Sequence, residues 1–254
     1  MEHESPEPRP PEAETGAPAV SPPKNRKRLR TALLAILAAV VLWAAWKLLT
    51  WPDVAALADE NPESTAFIER YRRQHDRQPD WRWVSYGNIS VHLRHAVVVA
   101  EDIDFFSHQG FAWDQIEQAL EDARKEGEMP RGASTITQQL AKNLWLSPSR
   151  NPWRKVEEAI LTRQLEKHLG KHRILELYLN VVELGPGVYG AEAAARHYFQ
   201  TTAGTLGPRQ AAELAASLPR PSTWHPGCGR RGYQAHVERI LGRMQKTDWV
   251  RRQV

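Results

Sequence analysis

The stretch 131-RGASTITQQLAKNLW-145 decides the fold class. Ile136, Leu140 and Leu144 recur at the spacing that lines one face of an α-helix, so this segment buries a stripe. Thr135 followed by Gln138 reads as a capping box, which starts the helix there, behind flexible Gly132. With about 100° of rotation per residue, Gln139, Lys142 and Asn143 fall on a flank separate from that stripe. A lysine among side-chain amides suits an anionic, hydroxyl-rich ligand. An ordinary solvent-facing flank has the same spacing, so the pattern alone leaves both readings open.

Working outward, helical periodicity recurs over 91–106, 113–127, 153–169, 172–181, 190–199, 208–218 and 233–247. Glycines and prolines punctuate the gaps, and no alternating apolar run is long enough for a sizeable sheet. A mainly helical fold without internal repeats is expected from residue 81 to residue 254, led by a polar stalk over 52–80. The 254 residues suffice for one substantial domain with accessories. With 34 Lys+Arg against 30 Asp+Glu, the net charge of +4 gives no argument for nucleic acid, and no helix-turn-helix, zinc-finger or RNP signature is present. A single cysteine, Cys228, excludes an intrachain disulfide framework, and His225 with Cys228 has no second pair to make a zinc site.

The N-terminal region has a different character. Residues 1–23 are rich in Pro, Glu and Ala and read as a disordered tail. The cluster 24-KNRKRLR-30 then places five basic residues in seven ahead of an apolar run over 31–51, interrupted only by Lys47. That run has the length of a bilayer-spanning helix if Lys47 snorkels, and Trp43, Trp46 and Trp51 gather where an aromatic belt belongs. Positive charge before the span predicts a cytoplasmic tail, residues 1–30, and everything after residue 51 on the other side. No small-x-small cleavage site with a polar spacer follows, so an uncleaved anchor is expected over a signal peptide.

Three further stretches carry chemistry. In 96-AVVVAEDIDFFSHQG-110, Glu101 and Asp102 follow apolar residues directly. A carboxylate desolvated there has a raised pKa and suits a base near neutrality. An isolated acidic pair more often marks a solvated helix turn, but the spacing Glu101-Asp102, Phe105, His108, Gly110 is far less common. In 150-RNPWRKVEEAILTRQLEKHL-169, Arg150, Arg154 and Lys155 gather at a helix start, where cations oppose the helix dipole. That local cost points to an external anion such as a phosphate or pyrophosphate, although Lys155 and Glu158 also have the spacing of a routine ion pair. In 173-RILELYLNVVELGPGVYGAEAAARHYF-199, a helix apolar nearly all round leads into a glycine-rich turn, which reads as core.

Taken in order, these motifs resemble those of the peptidoglycan glycosyltransferases, the family 51 glycosyltransferases. The residues that carry the resemblance are Glu101, Asp102, Phe105, His108 and Gly110; Gly132 through Asn143; Arg154, Lys155 and Glu158; and Ile174 to Asn180 running on to Gly190. The stretch 210-QAAELAASLPRPSTWHP-226 resembles the closing motif, and the similarity covers roughly 81–245. Tyr198-Phe199-Gln200-Thr201 departs from the family's usual Tyr-Phe-Gly-Lys.

The resemblance implies a lysozyme-like helical domain on an N-terminal transmembrane helix. It is similar to the monofunctional members, located in the bacterial inner membrane with a periplasmic catalytic domain. A transpeptidase is not expected, because the chain has no K-T-G and its sole S-x-x-K, Ser21 to Lys24, lies in the tail. The implied reaction is polymerisation of lipid II: the growing glycan on undecaprenyl pyrophosphate is the donor, and the 4-hydroxyl of incoming lipid II is the acceptor. Glu101 then matches the general base and Glu158 a second carboxylate near the departing pyrophosphate. Ser134, Gln139, Lys142, Asn143, Arg150 and Lys155 match the residues that hold the donor. The family often uses Mg²⁺ or Mn²⁺ with the pyrophosphate. No dedicated metal cluster is visible in the sequence, so such an ion is expected to arrive mainly with substrate. Besides lipid II and the membrane, cell-division or cell-wall synthesis proteins are the protein partners to be expected. Two other readings compete: a glycan-cleaving enzyme of lysozyme-like fold, with Glu101 as an acid, and an inactive membrane-anchored scaffold.

Overall fold

The computed structural model describes residues 25–112, 117, 134–147 and 151–254. The tail 1–23, Arg150 and all of the expected helix 113–127 except Glu117 lie outside the described residues. The chain divides into two units, residues 1–51 and Pro52–Val254.

In the first unit, α1 (Asn25–Leu49) carries a 22-residue stretch, Arg28–Leu49, long and apolar enough to cross a membrane. At about 1.5 Å per residue it spans the roughly 30 Å of a hydrocarbon core. Leu33, Leu34, Leu37, Val41 and Leu42 all point outward from it, as side chains made for lipid would.

The second unit begins earlier than the sequence led us to expect. Residues 52–80 carry a short 3₁₀ helix (Ala55–Ala58), α2 (Ala66–His75) and the start of β1 (Asp80–Trp81), and belong to the globular unit instead of forming a stalk. The polar composition concealed a one-sided helix. Ile68 and Tyr71 are buried on its inner face while Arg73 and Gln74 stay in solvent, and Thr65 caps it by accepting from Ile68 N at 3.1 Å.

α3 (Val91–Glu101) begins at Ser90, whose hydroxyl accepts from His92 N at 3.2 Å and donates to Leu206 O at 2.7 Å. It ends at Glu101, short of the residue 106 that periodicity implied, because Asp102 turns out of helical geometry with φ −163° and ψ 77°. After Asp102 come α4 (Ile136–Trp145), α5 (Pro152–His168) and α6 (Lys171–Val181). Next are β2 (Glu183–Gly185), β3 (Val188–Tyr189) and α7 (Ala191–Phe199). The chain closes with α8 (Pro208–Ser217), α9 (Arg231–Met244) and α10 (Asp248–Arg251).

The helices pack in two groups. α3 lies against α8, α9 and α10, where Ala211, Ala212, Ala215 and Ala216 are fully buried and allow close approach to the valines of α3. α4 lies against α2, α5 and α6 through Ile136, Leu140 and Leu144, the stripe read from the sequence. The small sheet runs β1-β3-β2, with β1 parallel and β2 antiparallel to β3. Asn180 ties it to α6. Its side chain accepts from Val84 N at 2.8 Å and donates to Val84 O at 2.9 Å, while its backbone carbonyl accepts from Trp81 Nε1 at 2.8 Å. Trp81 is therefore a structural clamp. Gly190 (φ +81°) closes over this point, since a Cβ there would lie 2.5 Å from Asn180 O.

Candidate active site

The last residue of α3 and the first turns of α4 meet at the seam between the two helix groups. Asp102 makes the joint. It is 3% exposed, accepts from Ile136 N at 3.0 Å at the start of α4, and accepts from His108 Nε2 at 2.9 and 3.1 Å. Gly110 N donates to His108 Nδ1 at 3.1 Å, so the imidazole proton sits on Nε2, facing the carboxylate. A carboxylate at a helix N-terminus is favoured by the dipole as well as by the hydrogen bond. Thr135 then caps α4 in the capping box expected with Gln138, and its hydroxyl donates to Gly110 O at 2.8 Å. The acidic doublet thus divides its labour: Asp102 fixes the joint and Glu101 is left facing the flank of α4.

Glu101 is half-buried, and its Oε2 accepts from Gln139 Nε2 at 2.7 Å. Gln139 Oε1 in turn accepts the hydroxyl of the fully buried Tyr178 at 2.8 Å. A carboxylate accepts only, so the amide has one workable orientation, with nitrogen toward Glu101. Burial pushes the Glu101 carboxyl above the ordinary carboxylate value. The Gln139 hydrogen bond and the charge of Lys142 pull it back, while Asp102 adds to the rise.

Lys142 stands one turn further along α4, half-buried. Burial lowers its pKa most, Glu158 pulls it back up, Arg154 and Lys155 lower it, and Glu101 raises it. Lys142 therefore stands in the field of both carboxylates and both cations of α5. Glu158 is 3% exposed and is gripped by Arg154 Nη1 at 2.9 Å and by Lys155 Nζ. The cations at the start of α5 thus have a partner within the chain as well as any external anion they attract. Glu158 supplies part of their compensation internally, one turn along the same helix. It also differs from a routine surface pair, because its carboxylate is buried and needs both partners.

A second buried link holds α4 on α5. Thr137 donates to Glu166 Oε1 at 2.6 Å, and Lys171 Nζ donates to the same oxygen at 2.8 Å. Gly110 (φ +86°) lies against this point, where a Cβ would come within 2.7 Å of Thr162 Cγ2. The structure thus brings Glu101, Gln139, Lys142, Arg154, Lys155 and Glu158 into one electrostatic group. Ser134 is exposed one residue before the α4 cap. Asn143, expected on the polar flank, is instead 7% exposed, because about 100° of rotation per residue sets it beside Ile136, at the edge of the buried stripe. Tyr178 was given no site role by the sequence, where most of its helix read as core; the structure places its hydroxyl on Gln139.

The described residues do not fit a resident divalent metal. The Glu158 oxygens are taken by cations, and no group of three or more His, Cys, Asp or Glu side chains converges among them.

Comparison with known proteins bears on what such a group does. The family described as Transglycosylase matches residues 65–245. The chain is 48% identical over 221 residues to the biosynthetic peptidoglycan transglycosylase of Azoarcus sp. (strain BH72), covering 85% of this chain and 94% of that protein. The protein of the same description from Dechloromonas aromatica (strain RCB) is 44% identical, with 87% and 96% covered. Its counterpart from Alcanivorax borkumensis is 43% identical, with 90% and 87% covered.

Proposed function

Because the chain belongs to the transglycosylase family, we propose that it polymerises lipid II into the glycan strands of peptidoglycan, with Glu101 as general base. The chain is a peptidoglycan glycosyltransferase. The finer reading rests on one observation: a carboxylate with a raised pKa is oriented by Gln139 within the same charged group as Lys142, Arg154 and Lys155.

In the reaction the 4-hydroxyl oxygen of incoming lipid II attacks the anomeric carbon of the donor sugar from the face opposite the leaving group. The new C–O bond forms as the bond to the undecaprenyl pyrophosphate oxygen breaks, inverting the centre, and Glu101 takes the hydroxyl proton. A positioned base contributes on the order of 10²–10⁴-fold. Charge grows on the departing pyrophosphate, where preorganised cations act most strongly. Lys142 and Lys155 are the described cations for this task, with Arg150, Ser134 and Asn143 assigned to the donor by resemblance. Glu158 holds Arg154 and Lys155 in place. Any Mg²⁺ or Mn²⁺ would be held mainly by the substrate's pyrophosphate oxygens and would offset their charge.

The lipid tail of the substrate gives α1 its purpose as an anchor. The basic residues before it favour a cytoplasmic N-terminus and a catalytic domain on the outer face of the inner membrane. The test is turnover of labelled lipid II by the purified full chain. Long glycan is the expected product, and release of muropeptides from finished wall without lipid II consumption would favour the cleaving enzyme instead.

A further inference from the structure

Apart from the site just described, the globular unit contains a cavity of about 300 Å³ between α2 and the β2–β3 hairpin. Its size is at the lower end for small-molecule pockets. None of its lining residues belongs to the catalytic group. An aromatic cluster makes one part of the wall: the exposed His75 ring stacks on buried Tyr71 with centroids 4.2 Å apart, Tyr71 meets buried Tyr189 edge-on at 6.0 Å, and half-buried Phe67 packs against them. The His75 ring donates from Nδ1 to Tyr71 O at 3.1 Å, which leaves its Nε2 edge at the rim for a polar guest. The Tyr71 hydroxyl accepts from Arg77 Nε at 2.7 Å, so the ring is locked in place.

The polar lining is of mixed charge. Glu183 Oε1 accepts from Gly187 N at 3.3 Å, and its other oxygen has no hydrogen-bond partner among the described residues. Half-buried Arg70 also lines the cavity and makes no hydrogen bond or ion pair among the described residues, and the Gln74 amide stands at the rim. An anionic ligand would meet Glu183, and a cationic one would meet Arg70. An uncharged ligand that carries donors and acceptors together satisfies both, and one with an apolar face also uses the aromatic wall. A pyranose ring has all three properties. Burial pushes the Glu183 carboxyl up against the opposing effects of Gly187 N–H, His75 and Arg70, which adds to the preference for a neutral guest.

We propose that this cavity is a second carbohydrate subsite that holds an uncharged N-acetylhexosamine ring of a glycan strand, apart from the sugars that react. The choice of an N-acetylhexosamine rests on the proposed function; the sugar class rests on the cavity alone. α2 carries one face to the cavity and packs on α4, the helix of Gln139 and Lys142, so a strand held here stays attached to the domain that extends it.

The experiment titrates the full chain in detergent with a β-1,4-linked N-acetylglucosamine tetramer, following binding by calorimetry. Arg70→Ala and Glu183→Gln are expected to weaken binding at least tenfold, while Glu101→Gln and Lys142→Ala leave it unchanged. Circular dichroism melts of Arg70→Ala confirm that the variant is folded. Arg70→Ala is further expected to consume lipid II at the initial rate of the parent while giving shorter strands, if the guest is the nascent product. If the guest is finished wall, strand length holds and pelleting with isolated sacculi falls. No tetramer binding by the parent, or binding lost in Lys142→Ala and kept in Arg70→Ala, would overturn the proposal. Failure of the parent to consume lipid II would count against the proposed function and not against the subsite, which the tetramer reads independently.

Discussion

Tyr178 gives its hydroxyl proton to Gln139 Oε1 at 2.8 Å and so fixes which end of that amide faces Glu101. The buried phenol, 39 residues away in sequence, thereby orients the carboxylate through an intermediate that touches both. Gln139 contributes a donor that favours the ionised form of Glu101, against a burial that disfavours it. The base is thus kept weakly hydrated yet aimed.

Removing that donor has a signed consequence. Gln139→Ala takes away an interaction that lowers the Glu101 pKa, so the acidic limb of the kcat–pH profile moves to higher pH. A hydrogen bond to a charged group is worth about 1.5–3 kcal/mol, so kcat on the acid side falls roughly 10–100-fold. Tyr178→Phe moves the limb in the same direction by less. A loss of activity that appears only in KM would assign Gln139 to substrate binding alone.

The raised Glu101 pKa also sets a stability trade. The folded state binds this proton more tightly than the unfolded chain, so stability from this group is present at low pH and lost as pH rises through the folded pKa. Glu101→Gln keeps an acceptor for Gln139 and removes the penalty. Its Tm is therefore expected above that of the parent at pH 7 and level with it near pH 4, on a scale of ~2–4 °C per kcal/mol. Calorimetric scans at the two pH values check this.

Much of this was legible in the sequence, and the limits have physical causes. The capping box at Thr135 and Gln138 and the Ile136 stripe are local patterns, and they fold as read. The Lys155–Glu158 pair is local too, but only burial of the carboxylate, decided by distant packing, separates it from a surface pair. Tyr178 read as core because a phenol in an apolar helix gives no hint of its partner on another helix. The segment 52–80 read as a stalk because its buried face is narrow, with Ile68 and Tyr71 carrying most of it.

Asp102 is expected to matter for folding before catalysis. Asp102→Ala leaves His108 Nε2 and Ile136 N without their acceptor, a loss of about 1–3 kcal/mol for each buried donor left unsatisfied. Asp102→Asn, which retains an acceptor oxygen, is expected to lose less. Denaturant titration of both variants measures the difference.

Gly110→Ala should destabilise through two additive routes. A left-handed φ of +86° costs a non-glycine residue about 1–3 kcal/mol, and the new Cβ would overlap Thr162 Cγ2 at 2.7 Å. Thr162→Ser removes that methyl while keeping the hydroxyl that donates to Glu158 O at 2.7 Å. Combining the two changes is therefore expected to restore part of the loss and leave the φ penalty and the 3.0 Å contact with Glu166 Cγ, a coupling that a double-mutant cycle reads directly.

The most direct test is the rate of lipid II consumption against pH for the parent chain and Glu101→Gln, each in detergent at saturating substrate. The parent should show an acidic limb above the ordinary glutamate value. Glu101→Gln should be at least about 10²-fold slower at neutral pH, with that limb gone. A Glu101→Gln rate within a few-fold of the parent, or a limb that stays where it was, would contradict the assignment of Glu101 as the base.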